Sequence, residues 1–168
     1  MSGGGGGPAA LLPVLLRPAT AADLDALFDI WLTAVQATHA FLAPADLSFY
    51  AGLVRREYLP AAALTVAEAD GRPAGFLGLT GSHVDALFVA PDSHDRGIGR
   101  RLILDAAVQA GGAALTVDVN EQNAGGVAFY HRLGFVVTGR SPLDPTGRPY
   151  PLLHMRRGPV QPAASAFT

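Results

Sequence analysis

The chain has 168 residues, 49% of them hydrophobic, and a formal net charge of −2 from 12 basic and 14 acidic side chains. This length and composition predict one globular domain with a buried core. The balanced charge gives no electrostatic basis for non-specific binding to nucleic acid, so we expect no nucleic-acid partner.

Cysteine is absent, which excludes disulfides, thiolate metal sites and a cysteine nucleophile. No stretch approaches the ~18 consecutive apolar residues of a membrane span. The short apolar stretch near the start is broken by Pro13 and lacks a preceding positive charge, which argues against a signal peptide. We therefore expect a cytoplasmic protein with no membrane partner. We also expect a disordered Gly-rich segment at 1–12, a single domain at 13–157 and a flexible tail at 158–168.

The predicted elements begin with a strand at 14–20, an amphipathic helix at 21–39 and a second helix at 45–58 that Pro60 stops. Two strands then flank the hairpin signal Asp70-Gly71, and a third strand covers 83–89. A helix at 99–111 and a buried strand at 113–120 follow. The stretch "NAGGVAFYHRLGF" predicts a short helix, and "FVVTGR" and "YPLLHMRR" predict the last two strands.

The crossover from the strand at 83–89 through a helix to the strand at 113–120 implies one parallel pair. The neighbouring hairpins make the rest of the sheet antiparallel. We therefore predict an α+β (mixed α/β) fold, with a central mixed sheet of about seven strands flanked by about four helices.

The stretch "SHDRGIGRRL" at 93–102 connects a strand to a helix and carries two glycines flanked by arginines. Backbone N–H groups and the positive end of a helix dipole meet at such a point, which suits a pyrophosphate. A Walker loop is excluded because the chain has no lysine, and a dinucleotide fingerprint is excluded because position 102 is leucine. A plain tight turn remains the alternative.

Two segments resemble the GNAT superfamily of N-acetyltransferases, and finding both in this order is more specific than either alone. "VDALFVAPDSHDRGIGRRLI" resembles the superfamily's acetyl-CoA-binding segment, and "NEQNAGGVAFYHRLGFVVTGR" its later Asn, helix, Tyr and Gly-Phe segment. The motifs "ATHAFL", "VNEQN" and "PYPLL" are similar to the small bacterial YjaB-like members. The resemblance implies a GNAT-like sheet whose parallel strands splay to form the cleft for acetyl-CoA.

The resemblance also implies cofactor contacts, which we expect from Leu87, Val89, His94, Asp95, Arg96, Gly97, Ile98, Gly99, Arg100, Arg101, Asn123 and Tyr130. The first two would pair with the pantetheine arm through their backbone groups, and the loop would hold the pyrophosphate. His94 and Asp95 depart from the family's usual Gln/Arg and Gly, and a carboxylate facing a pyrophosphate is unfavourable, so we expect Asp95 to point outward. Asn123 is also a good helix N-cap, so both roles stay open.

Tyr130 is the predicted general acid, because a phenol held close to the leaving thiolate can donate a proton to it. A core aromatic is the alternative role. The base is less determined. The candidates are His83 and Asp85 on one strand, with His39 and Glu121 as further possibilities, and an ordinary polar role is open for each.

The acceptor pocket is expected between the first two helices and the last hairpin. This region supplies Trp31, His39, Phe41, Tyr50, Tyr58 and Tyr150.

The sequence thus predicts transfer of acetyl from acetyl-CoA, as cosubstrate and without a metal, to a primary amine of a small molecule or protein. Because no cysteine is available, we expect direct attack in a ternary complex. The alternative is a regulatory or interaction module that binds acetyl-CoA with weak or no turnover. Acetylation of aminoacyl-tRNA is disfavoured by the net charge. A homodimer is a further expectation.

Overall fold

The computed structural model describes residues 13–159, except for the side chain of Asp95. The predicted disordered segment 1–12 lies outside the described residues, as does most of the predicted tail. Within the described part, no helix is long and apolar enough to cross a membrane.

Seven strands form one sheet in the order β1-β2-β3-β4-β5-β7-β6. They are β1 (Leu15–Pro18), β2 (Leu64–Ala69), β3 (Arg72–Thr80), β4 (His83–Val89), β5 (Leu115–Asn120), β6 (Val136–Ser141) and β7 (Leu152–Arg157). Every neighbouring pair is antiparallel except β4 and β5, which are parallel. The predicted mixed, mostly antiparallel sheet is confirmed.

The helices are α1 (Leu24–Thr38), α2 (Pro44–Leu53), α3 (Leu59–Ala61), α4 (Ile98–Gln109) and α5 (Ala124–Arg132). The prediction that Pro60 stops the second helix is wrong, because a π-helical turn at Val54–Tyr58 joins α2 to α3 and Pro60 lies inside α3. Proline lacks the N–H and crowds the carbonyl four residues before it, so a helix that includes proline ends soon afterwards. The chain leaves helical geometry two residues later, at Ala62.

The helices cover both faces of the sheet. On one face, α4 packs over β3 and β4 and α5 packs over β5, around a core that includes Leu102, Ile103 and Val117. On the other face, Leu27 and Trp31 of α1 pack over β2 and β3. The two parallel strands therefore lie between two packed layers, and ligands of such sheets bind beyond the carboxyl ends of the strands.

Candidate active site

The parallel strands β4 and β5 separate almost as soon as they have paired. Their register covers only His83 with Thr116 and Val84 with Val117. Asp85 has no partner on β3, because the β3–β4 register shifts there. Such a bulge bends a strand and increases its twist. The rest of β4 stays on β3 but leaves β5, which opens the predicted splay.

A cleft of about 430 Å³ occupies the region beyond the splay. Its lining includes Leu87 and Val89 of β4 and Asn123, Phe129 and Tyr130 near α5. The remaining lining residues are Ala34, Thr38, His39, Phe88, His94, Gly99, Gly125, Gly126 and Arg132. The edge of β4 that faces this cleft is not paired with β5 beyond Val84. Its backbone groups are therefore available to an extended ligand.

The two glycines of the loop have different structural roles. Gly97 has φ +69° and forms the N-cap of α4, and residues with a side chain rarely adopt that conformation. A Cβ on Gly99 would lie 3.0 Å from the ring of Phe129, so Gly99 permits the close approach of α4 and α5. Ile98, between them, is 1% exposed and anchors the first turn of α4 in the core. The alternative of a plain tight turn is thus sufficient for Gly97 only.

The three arginines of the loop differ in their surroundings. Arg96 Nη1 lies 2.7 Å from Asp70 Oδ2 in the β2–β3 turn, and Arg101 Nη1 donates to the carbonyl of Val14. Arg100 instead lines a groove of about 460 Å³ together with Arg132 and Arg157.

This arginine groove, lined by Arg100, Leu104, Phe129, Arg132, Leu133 and Arg157, adjoins the cleft. Phe129 and Arg132 line both. Among the described residues, its three arginines form no ion pair, and Nη1 of Arg157 is buried without a hydrogen-bond partner. Clustered cations without a counter-charge suit an anionic ligand.

Helix α5 brings the other predicted cofactor residues to the cleft. Asn123 is the N-cap of α5, and its Oδ1 accepts from the Gly126 N–H at 3.1 Å. Tyr130 is 7% exposed and packs edge-on between Phe129 and Phe135, with ring centroids 5.1 and 5.2 Å away. Burial raises the pKa of Tyr130 above its ordinary value of 10.0, so the phenol keeps its proton at neutral and mildly alkaline pH.

A second cavity of about 240 Å³ lies next to the cleft and shares two lining residues with it. Its lining consists of Trp31, Val35, His39, Leu42, Tyr50, Val54, Phe88, Asn120, Asp144, Pro145, Tyr150 and Leu152. Among the described residues, His39 and Phe88 line both the cleft and this cavity. They therefore form the boundary between the two spaces.

The carboxylates around the second cavity differ in their partners. Asp46 is paired with Arg148 at 2.9 Å and accepts from the Tyr150 hydroxyl at 2.5 Å. Asp144 accepts from the hydroxyl groups of Tyr50 and Thr146 and forms no ion pair in the described part of the chain. Burial acts to raise the pKa of Asp144, yet the hydrogen bonds from Thr146 and Tyr50 hold it below its ordinary value. Asp144 thus brings an unneutralised negative charge to an aromatic cavity.

Comparison with known proteins identifies this architecture. The family model for the acetyltransferase (GNAT) domain matches residues 45–147. The peptidyl-lysine N-acetyltransferase YjaB of Salmonella typhimurium is 48% identical over 132 residues, which are 78% of this chain and 89% of that protein. The chain belongs to the GNAT acetyltransferase family. It is an N-acetyltransferase by this membership.

Solved structures agree with the GNAT assignment. The apo-form YjaB from Escherichia coli aligns with a TM-score of 0.82 at 41% identity, covering 89% of this chain and 100% of that one. The yncA protein from Salmonella typhimurium, solved with its cofactor acetyl-CoA, aligns with a TM-score of 0.61 at 24% identity. That alignment covers 94% of this chain and 100% of the yncA chain and shows a likeness of fold.

Three of the base candidates lie elsewhere in this GNAT fold. Nδ1 of His83 is 2.7 Å from the Thr116 hydroxyl, and Asp85 accepts from the Thr80 hydroxyl at 2.6 Å. Glu121 forms an exposed ion pair with Arg140 at 2.8 Å. None of the three lines the cleft or the second cavity. Of the four candidates, only His39 does so.

The aromatic residues expected in the acceptor pocket separate into two groups. Trp31, His39, Tyr50 and Tyr150 line the second cavity. Phe41 packs behind it, with its ring centroid 5.2 Å from that of His39. Tyr58 does not line this cavity, and its hydroxyl is buried near Gly78 without a hydrogen-bond partner among the described residues.

Three residues that line these spaces, Arg132, Phe88 and Asp144, were not predicted from the sequence. Arg132 stands two residues after Tyr130 in the quoted GNAT segment, so its basic side chain at the end of α5 was a usable signal. Phe88 alternates with Leu87 and Val89 and faces the other side of the sheet, which the pattern of β4 also allowed. Asp144 lies in a loop whose sequence contains no motif that indicates a site residue.

Proposed function

We propose that this GNAT enzyme transfers the acetyl group of acetyl-CoA to the ε-amine of a lysine side chain, by direct attack in a ternary complex. The observation that carries the proposal is the meeting of the two cavities at His39 and Phe88. A cofactor in the cleft and an amine in the second cavity would meet at this boundary. The relatives named peptidyl-lysine N-acetyltransferases support lysine as the acceptor.

The residues of the cleft fit acetyl-CoA, which supplies an acetyl group activated as a thioester. The unpaired edge of β4 beside Leu87 and Val89 suits the amide groups of a pantetheine arm. The first turn of α4, after Gly97, presents free N–H groups to a pyrophosphate. Arg100 and Arg132 are better placed than Arg96 and Arg101 to neutralise phosphate, because the latter two bind protein groups.

The second cavity suits an alkylammonium group. Trp31, Tyr50 and Tyr150 supply aromatic rings, which attract a cation through their faces. Asp144 supplies a carboxylate that accepts hydrogen bonds from the hydroxyls of Tyr50 and Thr146 and from the backbone N–H groups of Thr146 and Arg148, all of them uncharged donors. A lysine side chain that enters here would exchange part of its hydration for these contacts.

Tyr130 is the proposed general acid. Attack of the amine on the thioester carbonyl expels a thiolate, which needs a proton. Burial raises the pKa of Tyr130, so its O–H remains a donor. The same apolar surroundings also disfavour the thiolate, which raises its affinity for that proton.

The test is acetyl transfer to an N-terminally blocked peptide that contains one lysine. We expect acetyl-CoA to raise the melting temperature of the protein, and thiol release to match the acetylated lysine counted by mass spectrometry. Because the chain has no lysine, any ε-acetylation must lie on the acceptor. Absence of thermal stabilisation would contradict acetyl-CoA as cosubstrate. Stabilisation without transfer to any peptide would favour the binding-module alternative.

A homodimer, a cytoplasmic location and the absence of a nucleic-acid partner stay predictions. The last is supported by the net charge of −2. The described residues include no group of three or more His, Cys, Asp or Glu side chains that could hold a metal ion.

A further inference from the structure

His39 lies at the end of α1, where the cleft and the second cavity meet. Of the two described residues that line both spaces, Phe88 has no titratable group. Of these two residues, only His39 can therefore exchange a proton with a group at this boundary. Under the proposed function, the acceptor amine passes this point.

A lysine amine needs a proton acceptor at neutral pH. Its ordinary pKa is about 10.4, so only about 1 molecule in 2,500 is neutral at pH 7. An enzyme that binds the abundant ammonium form must remove a proton before the nitrogen can attack. A neutral imidazole at the boundary would serve, provided that a ring nitrogen with a free lone pair faces the amine.

Thr38 fixes the tautomer of His39. The Thr38 hydroxyl lies 2.7 Å from the carbonyl oxygen of Ala34 and 2.7 Å from Nδ1 of His39. A carbonyl oxygen can only accept, so the single hydroxyl hydrogen is donated to Ala34. The contact with Nδ1 then requires the imidazole N–H to donate to the hydroxyl oxygen. The proton of neutral His39 therefore sits on Nδ1, and Nε2 carries the free lone pair.

The surroundings keep His39 in the neutral form. Burial lowers its pKa below the ordinary value of 6.5. The titratable groups that face the same two spaces are His94, Tyr130 and Arg132 in the cleft and Tyr50, Asp144 and Tyr150 in the second cavity. Among these described residues, Asp144 is the one carboxylate. Its charge favours an ammonium in the second cavity, beside the imidazole.

We propose that Nε2 of His39 is the general base for the acceptor amine and that Thr38 is its positioning residue. The proposal rests on the proposed function. Of the three protons on the ammonium nitrogen, one moves to Nε2 and then to solvent. A second restores the proton that Tyr130 gives to the sulfur. The third stays on the amide nitrogen, as the N–C bond forms and the C–S bond breaks.

The test is the pH profile of kcat/KM for His39→Gln with the blocked lysine peptide. The wild-type profile is expected to reach a plateau below pH 7, because His39 loses its proton below its ordinary pKa and the bound amine arrives as ammonium. The variant lacks this base and therefore reacts only with amine that is already deprotonated in solution. We expect about a 100-fold loss at pH 7 and then a roughly tenfold rise per pH unit, so that the loss nearly disappears by about pH 9.

Further variants keep the proposal falsifiable. Thr38→Val removes the hydroxyl acceptor for Nδ1–H, and we expect a smaller loss with a changed acid limb of the profile. His131→Gln alters an exposed histidine outside both spaces and should keep the wild-type profile. Thermal melting with acetyl-CoA checks that each variant is folded. If His39→Gln is not folded, His39→Asn takes its place.

The proposal is overturned if the His39 variants keep the wild-type rate, or lose the same factor at every pH. The second result would indicate a structural role only. Failure of the proposed function gives a different result, because wild-type protein would then acetylate no lysine peptide at any pH.

Discussion

Replacement of Tyr130 by phenylalanine is expected to lower kcat by about 100-fold or more, with less than a threefold change in the KM for acetyl-CoA. The substitution removes one oxygen and leaves the ring between Phe129 and Phe135, so the core and the cleft wall keep their shape. Only the proton donor for the leaving thiolate is lost. Initial rates of thiol release at saturating peptide measure both constants.

Tyr58→Phe is the matched control for Tyr130→Phe. Tyr58 is also a largely buried tyrosine, but its hydroxyl has no partner within the described part of the chain and lies outside both cavities. Its loss removes an unsatisfied polar group, so activity should be unchanged and stability equal or higher. Full activity of the Tyr130→Phe enzyme would show that Tyr130 is a core aromatic and not the acid.

Arg100→Ala and Arg132→Ala are each expected to raise the KM for acetyl-CoA about 10-fold or more, with kcat within threefold. A hydrogen bond to a charged group contributes about 1.5–3 kcal/mol, which corresponds to about 10–100-fold in affinity. Both arginines lie at the groove beside the cleft and form no ion pair with a described residue. Their guanidinium groups are therefore free to bind phosphate.

The measurement for the arginine variants is the dissociation constant of acetyl-CoA by calorimetry, at low and high salt. The wild-type affinity should fall more steeply with salt than that of either variant, because fewer charge contacts remain to be screened. Arg56→Ala is the control, because Arg56 is exposed and does not line the groove. Unchanged dissociation constants in both variants would show that the groove does not contact the cofactor.

The mixed sheet was predictable because its signals are local, whereas the cleft was expected only from the resemblance to the GNAT superfamily. The alternating pattern of β4, the loop with its two glycines and the pattern of α4 follow one another without interruption. The parallel pairing of β4 and β5 follows from the crossover between them, but the position of β7 between β5 and β6 does not. The continuation of the helix past Pro60 was not predictable, because no residue type in the sequence indicates the π turn that precedes it.

The detailed chemistry of the site depended on contacts between distant parts of the chain. Arg96 and Arg101 stand beside Arg100 in sequence, but their partners Asp70 and Val14 lie 26 and 87 residues away. Asp46 and Arg148 are 102 residues apart. Local patterns carry no information on such pairs. For the same reason, the sequence left four base candidates open, and only the shape of the cavities separates them.

The most direct test of acetyl transfer between two meeting cavities is a crystal structure with a bisubstrate conjugate, in which CoA is joined through an acetyl bridge to the ε-nitrogen of a lysine peptide. We expect the pantetheine arm along β4 beside Leu87 and Val89, and the pyrophosphate at the start of α4. The lysine side chain should pass between His39 and Phe88 into the cavity that contains Asp144. A lysine arm that leaves the cleft by another route, or a CoA moiety bound away from α4, would contradict the account.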